Sequence, residues 1–365
     1  MKLLIDSKEL KRGLGHVARA ISSRGPLPIL THVYLEAREE GLMLRATDLE
    51  VGVESTVAAA TQTQGAIALP FKTLAEIVAK LPAADVTIEM DDTQRVIIRC
   101  QRATFKVAAM SAAEFPTLPL VTGTAIELPR ADFLQAIRQV LPCAAGEDRA
   151  VISGVFIEVA DGKIQVVATD GYRLGRRAID RPSLHPAELV IPARALGEIE
   201  RHLKDLSVES ITLTCGTNQL NLDLGDRRLT SRLVDGQFPP YQQIIPTAFE
   251  RSAVVNREAF AAAVDRVSIM AEDREAHTIK LAFADGEMVI TAGNTELGDA
   301  TEALSVEYTG EPAAISFNGD FLKDAIKALD GEAVRCNFNG PLTPMILQSA
   351  DDDAHLALLM PMNRV

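Results

Sequence analysis

Three stretches of the chain share one alternation of apolar and polar positions. "LMLRATDLEVGVES" from residue 42, "IQVVATDGYRLGRR" from 164 and "MVITAGNTELGDAT" from 288 each read as a period-two strand, a turn of small residues and a second strand. The alanines before the turns, Ala46, Ala168 and Ala292, are 122 and 124 positions apart. A helical period recurs in the same phase. "SKELKRGLGHVARAI", "PRADFLQAIRQVL" and "NREAFAAAVDRVSIM" align Leu10, Phe133 and Phe260 at spacings of 123 and 127, and "FKTLAEIVAKL", "ARALGEIERHL" and "GDFLKDAIKAL" form a second helical set. Two patterns repeating together make the chain three tandem copies of one domain. The expected limits are 1–121, 122–250 and 251–365, with the proline-bearing stretches "FPTLPLVTG" and "FPPYQQIIPTAFE" closing the first two.

Each copy is itself doubled. In the first, a strand at 1–5, a helix at 7–20 and strands near 31–36, 41–46 and 51–59 are followed by a strand at 65–70, a helix at 72–80 and strands near 85–90, 94–99 and 104–109. The unit is β-α-β-β-β, used twice. Hairpin-length gaps between alternating strands call for antiparallel sheets, and two helices per copy cover a shared inner face, an α+β class.

The repeat bears on the most reactive-looking residues. Asp170, at a strand end and followed by Arg173, has the position of a catalytic acid. Asp48 and Asn294 occupy the same place in the other copies. Asp and Asn both bond the backbone of a turn, whereas a general acid cannot be replaced by Asn, so the turn reading is favoured. The segment after the turn sets the second copy apart: "GYRLGRR" has no counterpart in "LEVGVES" or "TELGDAT".

Other motifs fail on context. "GLGHVA" at 13–18 fits a dinucleotide fingerprint, but the helix has already begun and the glycines read as a packing face. The histidines at 16, 32, 185, 202, 277 and 355 have no metal-ligand spacing, and "DDD" at 351–353 reads as a solvated acidic loop, so neither a metal nor another cofactor is expected. Cys100, Cys143, Cys215 and Cys336 are scattered and read as buried small side chains of a reducing compartment. No apolar run reaches membrane-spanning length, and the N-terminus lacks a signal-peptide core, so the expected location is cytoplasmic.

Composition adds one further feature. Aromatics make up 4% of the 365 residues and there is no Trp, so the cores are aliphatic. The net charge is −13, yet the six helical stretches carry +6 between them, leaving −19 on the rest. On helix 7–20, Leu10, Leu14, Val17 and Ile21 form the buried stripe while Lys8, Lys11, Arg12 and Arg19 lie off it.

"LPIL" at 27–30, "ATDLE" at 46–50, "VATDGYRL" at 167–174, "LVDGQFPPY" at 233–241 and "MPM" at 360–362 resemble, in order and over essentially the whole chain, the β subunit of bacterial DNA polymerase III, the sliding-clamp family. The resemblance implies three DNA-clamp domains with sheets outside and helices lining a ring, closed by head-to-tail homodimerisation. It implies a non-catalytic processivity factor that encircles duplex DNA without reading sequence. Arg24 in the loop "SSRGPLP" and Lys11, Arg12, Lys72, Lys80, Arg138, Arg194 and Arg201 on the helices are the implied DNA contacts. A cleft for linear peptides of the replicative polymerase, clamp loader and repair proteins is implied at Ile152, Thr169, Gly171, Tyr172, Arg173, Leu174, Pro239, Gln243 and Ile244, closed by Leu358, Leu359, Met360, Pro361 and Met362. Phe105 and Val107 meeting Ile269 and Met270 are the implied dimer contact. Tyr172 stands where the family motif usually has His, Gln243 where Arg is common, and Asn363 stands between "MPM" and Arg364. Two alternatives remain from sequence: a clamp paralogue not serving the main replicase, and an enzyme on nucleic acid with Asp170 and Arg173 as its site.

Overall fold

A computed structural model describes the chain apart from residues 23–26, 92–94, 182–185, 272–276, 295–297 and 363–365. Helices α1 (Ser7–Val17), α2 (Phe71–Lys80), α3 (Arg130–Val140), α4 (Ala193–Lys204), α5 (Arg257–Val267) and α6 (Gly319–Ala328) fall where the apolar stripes put them. The first illustrates the local physics. Asp6 caps α1 by accepting from the Lys8 amide at 2.7 Å, and Leu10, Leu14 and Val17 are buried. Gly13 faces strands Gly41–Thr47 and Val51–Val57 so closely that a Cβ there would lie 2.7 Å from Leu44 Cδ1, so the first glycine of "GLGHVA" serves packing, whereas Gly15 is exposed and a Cβ there would meet nothing. At the other end Arg201 donates to the carbonyls of Gly15 and His16, at 3.1 and 2.9 Å, which the helix itself leaves unbonded.

All strand pairs are antiparallel, and each copy exchanges strands between its halves. In the first copy, Lys2–Asp6 leaves its own half to pair with Asp85–Met90 of the second, and Gly65–Pro70 pairs back onto His32–Arg38. The second copy pairs Thr124–Pro129 with Ser210–Cys215 and Ala187–Pro192 with Gly154–Ala160; the third pairs Arg251–Asn256 with Ala333–Phe338 and Ala313–Asn318 with Thr278–Ala284. Neither half of a copy completes its sheet alone.

Sheets also continue from one copy to the next. Arg227–Arg232, the last strand of the second copy, pairs with Val51–Val57 of the first, and His355–Leu359, the last of the third, pairs with Arg173–Asp180 of the second. Eight- and nine-stranded sheets result, leaving a five-stranded sheet that ends on Ala103–Ala108 and a four-stranded sheet that ends on Gly298–Ser305. The compact units therefore cut through the middle repeat: one comprises 1–130 and 201–233, the other 131–200 and 234–365.

The cores are aliphatic, with Phe133, Phe260, Phe283, Phe317 and Phe338 as the largest fully buried side chains. Some expectations change. The strand expected at 51–59 stops at Val57, and a separate short strand, Ala60–Thr63, turns onto Lys2–Asp6. Cys100 and Cys336 are buried, but Cys143 and Cys215 are only partly so. The acidic run is ion-paired rather than merely solvated: Asp352 accepts from Arg177 at 2.6 Å, and Asp353 lies 3.4 Å from Arg335.

Imidazoles, His202 and His355 buried and His16 half-buried, lie beside both of the inter-copy strand pairings. His16 and His202 stand 5.9 Å apart, with Ser55 on His16 and Arg201 and Arg227 on His202. Burial, then the charge of Arg227, lowers the His16 pKa to about 4, Asp226 partly opposing; burial, then Arg201 and Arg227, lowers His202 to about 3. His355, only 1% exposed, is lowered to about 4 by burial and then by Arg177, with Asp330 and Asp352 opposing. These groups are neutral when folded and take up a proton on unfolding, so their contribution is fully present above pH 6.5 and is lost as pH falls towards 4. Between pH 7.5 and 5.5 unfolding should become easier by about 1.4 kcal/mol for each of the buried His202 and His355, and by less for the half-buried His16, which solvent screens. Urea midpoints at the two pH values measure this; equal midpoints would contradict the buried-neutral assignment.

Candidate functional site

The turn after strand Lys163–Thr169 is built by side chains. Asp170 Oδ1 accepts from the amides of Tyr172 and Arg173 at 2.9 and 3.0 Å, and Thr169 Oγ1 donates to the Arg173 carbonyl at 2.7 Å while accepting from the Gly171 amide. The first copy repeats this scheme: Asp48 Oδ1 accepts from Glu50 and Val51, and Thr47 Oγ1 donates to the Val51 carbonyl. The third residue has positive φ in both, +89° at Gly171 and +80° at Leu49. The glycine avoids a backbone strain that the first copy carries.

The second copy adds a clamp on Arg173. Its guanidinium reaches Asp170 Oδ2 at 3.0 Å and Asp324 Oδ2 of α6 at 2.7 Å, and lies 4.2 Å over the Phe321 ring. Burial disfavours its charge, but the hydrogen bond to Asp324 and the Asp170 pair prevail and raise its pKa above the ordinary value. Beneath it, burial pushes the Cys143 thiol up to about 12, so that it stays protonated. Arg173 thus braces the turn against α6, its side chain only 12% exposed.

Several of the residues proposed for a cleft come together here. The Tyr172 carbonyl accepts from the Met360 amide at 2.9 Å, while Arg173 faces Leu359 and Leu174 faces Leu358 across the strand pair. Leu174 and Leu358 are buried in one apolar cluster with Phe156, Phe238 and Tyr241, and Ile152 packs on its margin. Tyr172, Ile244 and Met360 are exposed at 58, 47 and 40%, with Pro239 and Gln243 also exposed. The chain end is tied down: the Met362 amide donates to the Ser316 carbonyl at 2.8 Å, with Pro361 partly buried before it. Leu174, Leu358 and Leu359 form floor rather than open wall, each at most 2% exposed. Sequence reading missed Phe321 and Asp324. The signal for Phe321 was available, since "GDFLKDAIKAL" has an aromatic where the sister helices have Ala195 and Thr73. Asn363 lies outside the described residues.

The basic positions divide into two groups. Lys11, Lys72, Lys80 and Arg194 are exposed on α1, α2 and α4. Arg12 pairs with Glu9 at 2.7 Å and Asp226 at 3.3 Å, Arg138 lies 3.3 Å from Glu200, and Arg201 caps α1. Their charges are thereby partly answered within the protein. Arg24 lies outside the described residues.

Family models for the N-terminal, central and C-terminal domains of the DNA polymerase III beta subunit match residues 1–119, 127–240 and 242–363 in turn. The chain belongs to the β sliding clamp family. It is 32% identical to the beta sliding clamp of Synechocystis sp. over the full length of both, and 30% identical to that of Bacillus subtilis over 99% of each. The crystal structure of the Bacillus subtilis sliding clamp superposes with a TM-score of 0.96 at 28% identity over the whole of both chains, and a Pseudomonas aeruginosa clamp bound to griselimycin with 0.94 at 27%. The fold is three tandem clamp domains.

If Asp170 is a turn residue, Asp170→Asn keeps both amide bonds but loses the Oδ2 bond to Arg173 and should cost about 1–2 kcal/mol, whereas Asp170→Ala loses the amide acceptor as well and should cost about 2–4 kcal/mol. Denaturant unfolding of the two variants checks this order; equal losses would mean that the acceptor bonds do not hold the turn.

Proposed function

We propose that two copies of this chain close head to tail into a ring around duplex DNA and tether replication and repair proteins to it. The supporting observation is a pairing rule left incomplete. Twice within the chain, the last strand of one copy pairs with the strand after the turn in the copy before it. The first copy's last strand, Ala103–Ala108, and the third copy's Gly298–Ser305 are the two members left at sheet ends. Joining them between chains would give a nine-stranded sheet like the one within the chain, and a heterologous contact used twice closes a two-membered ring. Phe105 and Val107 lie on the first of these strands. Ile269, 66% exposed, and Met270, whose Cε lies 3.6 Å from where a Gly298 Cβ would be, sit against the second.

Exposed lysines on the helices suit attraction to phosphates without base reading. The rest of the chain carries −19, which would discourage binding elsewhere. No chemistry is assigned to Asp170 and Arg173, since each neutralises the other within a turn. The exposed Tyr172, Ile244 and Met360 above a buried apolar floor suit a cleft for short extended peptides of the polymerase, the clamp loader and repair proteins.

Met270→Asp should sediment as a monomer at micromolar concentration and lose its hold on circular duplex, because an unpaired carboxylate is costly to bury. Wild-type protein loaded on a circle should be released when the circle is cut. A dimeric variant would reject the interface, and equal retention on cut and closed DNA would reject encirclement. Deleting residues 360–365 should abolish binding of a polymerase-tail peptide in calorimetric titration while leaving the dimer intact; unchanged affinity would move the cleft elsewhere.

A further inference from the structure

An open groove lies on the nine-stranded sheet, sharing Pro239 with the cleft proposed above. Phe156 and Phe238, stacked with centroids 5.0 Å apart, and Tyr241, edge-on to Phe156 at 6.3 Å, form its aromatic wall. Glu158 and Glu188 line it too, and they are cross-strand partners. Two carboxylates directly opposite each other on one face of a sheet repel. The Tyr241 hydroxyl donates to Glu158 Oε2 at 2.9 Å, which relieves one of them in part; among the described residues neither carboxylate has an ion pair. Arg176 is near enough to act on the Tyr241 hydroxyl but forms no ion pair within 4.0 Å with either carboxylate.

The fold does not require this pair. The corresponding positions in the first copy are Glu36 and Ala66, and there Arg38 binds Glu36 at 2.7 Å. The third copy has Ala282 opposite Ala314. Only the copy that carries the divergent turn has a second carboxylate and, at Ala160, lacks the arginine that would neutralise the first.

We infer that this groove extends the peptide cleft and selects partners whose apolar anchor motif is flanked by a lysine or arginine. The inference rests on the cleft reading and deepens it: the apolar anchors provide adhesion, and the unneutralised pair adds a preference for a cation beside them. The aromatic wall suits the aliphatic stem of such a side chain, and the carboxylates its charged end.

The test uses the full-length dimer and synthetic extended peptides with Leu and Phe anchors, carrying Lys, Ala or Glu at the residues flanking the anchors on either side. Lys-flanked peptide should bind about three- to five-fold more tightly than Ala-flanked peptide, and Glu-flanked peptide more weakly. The preference should shrink on raising salt, vanish in Glu158→Gln/Glu188→Gln, and invert in Glu188→Lys, a substitution at an exposed side chain, while Ala-flanked binding stays unchanged. Equal binding of all three peptides to wild type would overturn the inference and leave the cleft standing. Failure of every peptide to bind would instead remove the cleft, and this inference with it. A preference that survives in both variants would also overturn the role of these carboxylates.

Discussion

Unsatisfied backbone at strand edges is the constraint on which this architecture depends. A sheet edge presents a row of donors and acceptors that must be paired, covered or left in water. Within each copy the lead strands cross to the other half, so neither half has a complete sheet without its twin. Between copies, a last strand is laid on the edge left by the preceding repeat. The tandem chain is thus held by the same backbone bonds that hold a single hairpin.

Backbone bonds carry no identity, and side chains at the strand pairings between copies supply it. Beside Arg227–Arg232, His202 meets Arg201 and Arg227 while Arg201 caps α1. Beside His355–Leu359, Arg177 bridges Asp352 and Gln135, and Asp330 accepts from Gln135 and Gln139. Unpaired polar groups in such places cost more than a lost contact, so a register slip is penalised at both. At the divergent turn, the clamp of Asp170, Asp324 and Phe321 on Arg173 does the same for the segment that leads to Met360.

Much of this was legible because repeats turn one sequence into three aligned readings. Helix positions, strand alternation and the turn role of Asp170 came from comparing Asp48, Asp170 and Asn294 and their surroundings. The exchange of lead strands was not legible: period-two patterning says which face of a strand is buried but not which neighbour it pairs with. Charge was legible only as a sum. Whether Arg201 faces solvent or caps a helix depends on α1, which reaches it from 185 residues away in sequence. Leu174, Leu358 and Leu359 meet on one strand pair, yet the burial of Leu174 and Leu358 as floor rather than wall comes from a cluster with Phe238 and Tyr241, which no local pattern encodes.

The compact units that cut through the middle repeat bear on how such a chain arose. A lone repeat would carry one donor edge and one acceptor edge, complementary to each other and facing different ways. Such an element cannot pair with itself in place; it either joins others into a closed cycle or propagates as a fibre. Fusing repeats in tandem fixes how many links are covalent and leaves a single kind of joint to be made between molecules. In the ring proposed above, the two joints of that kind would be the places where the assembly could open without breaking a chain.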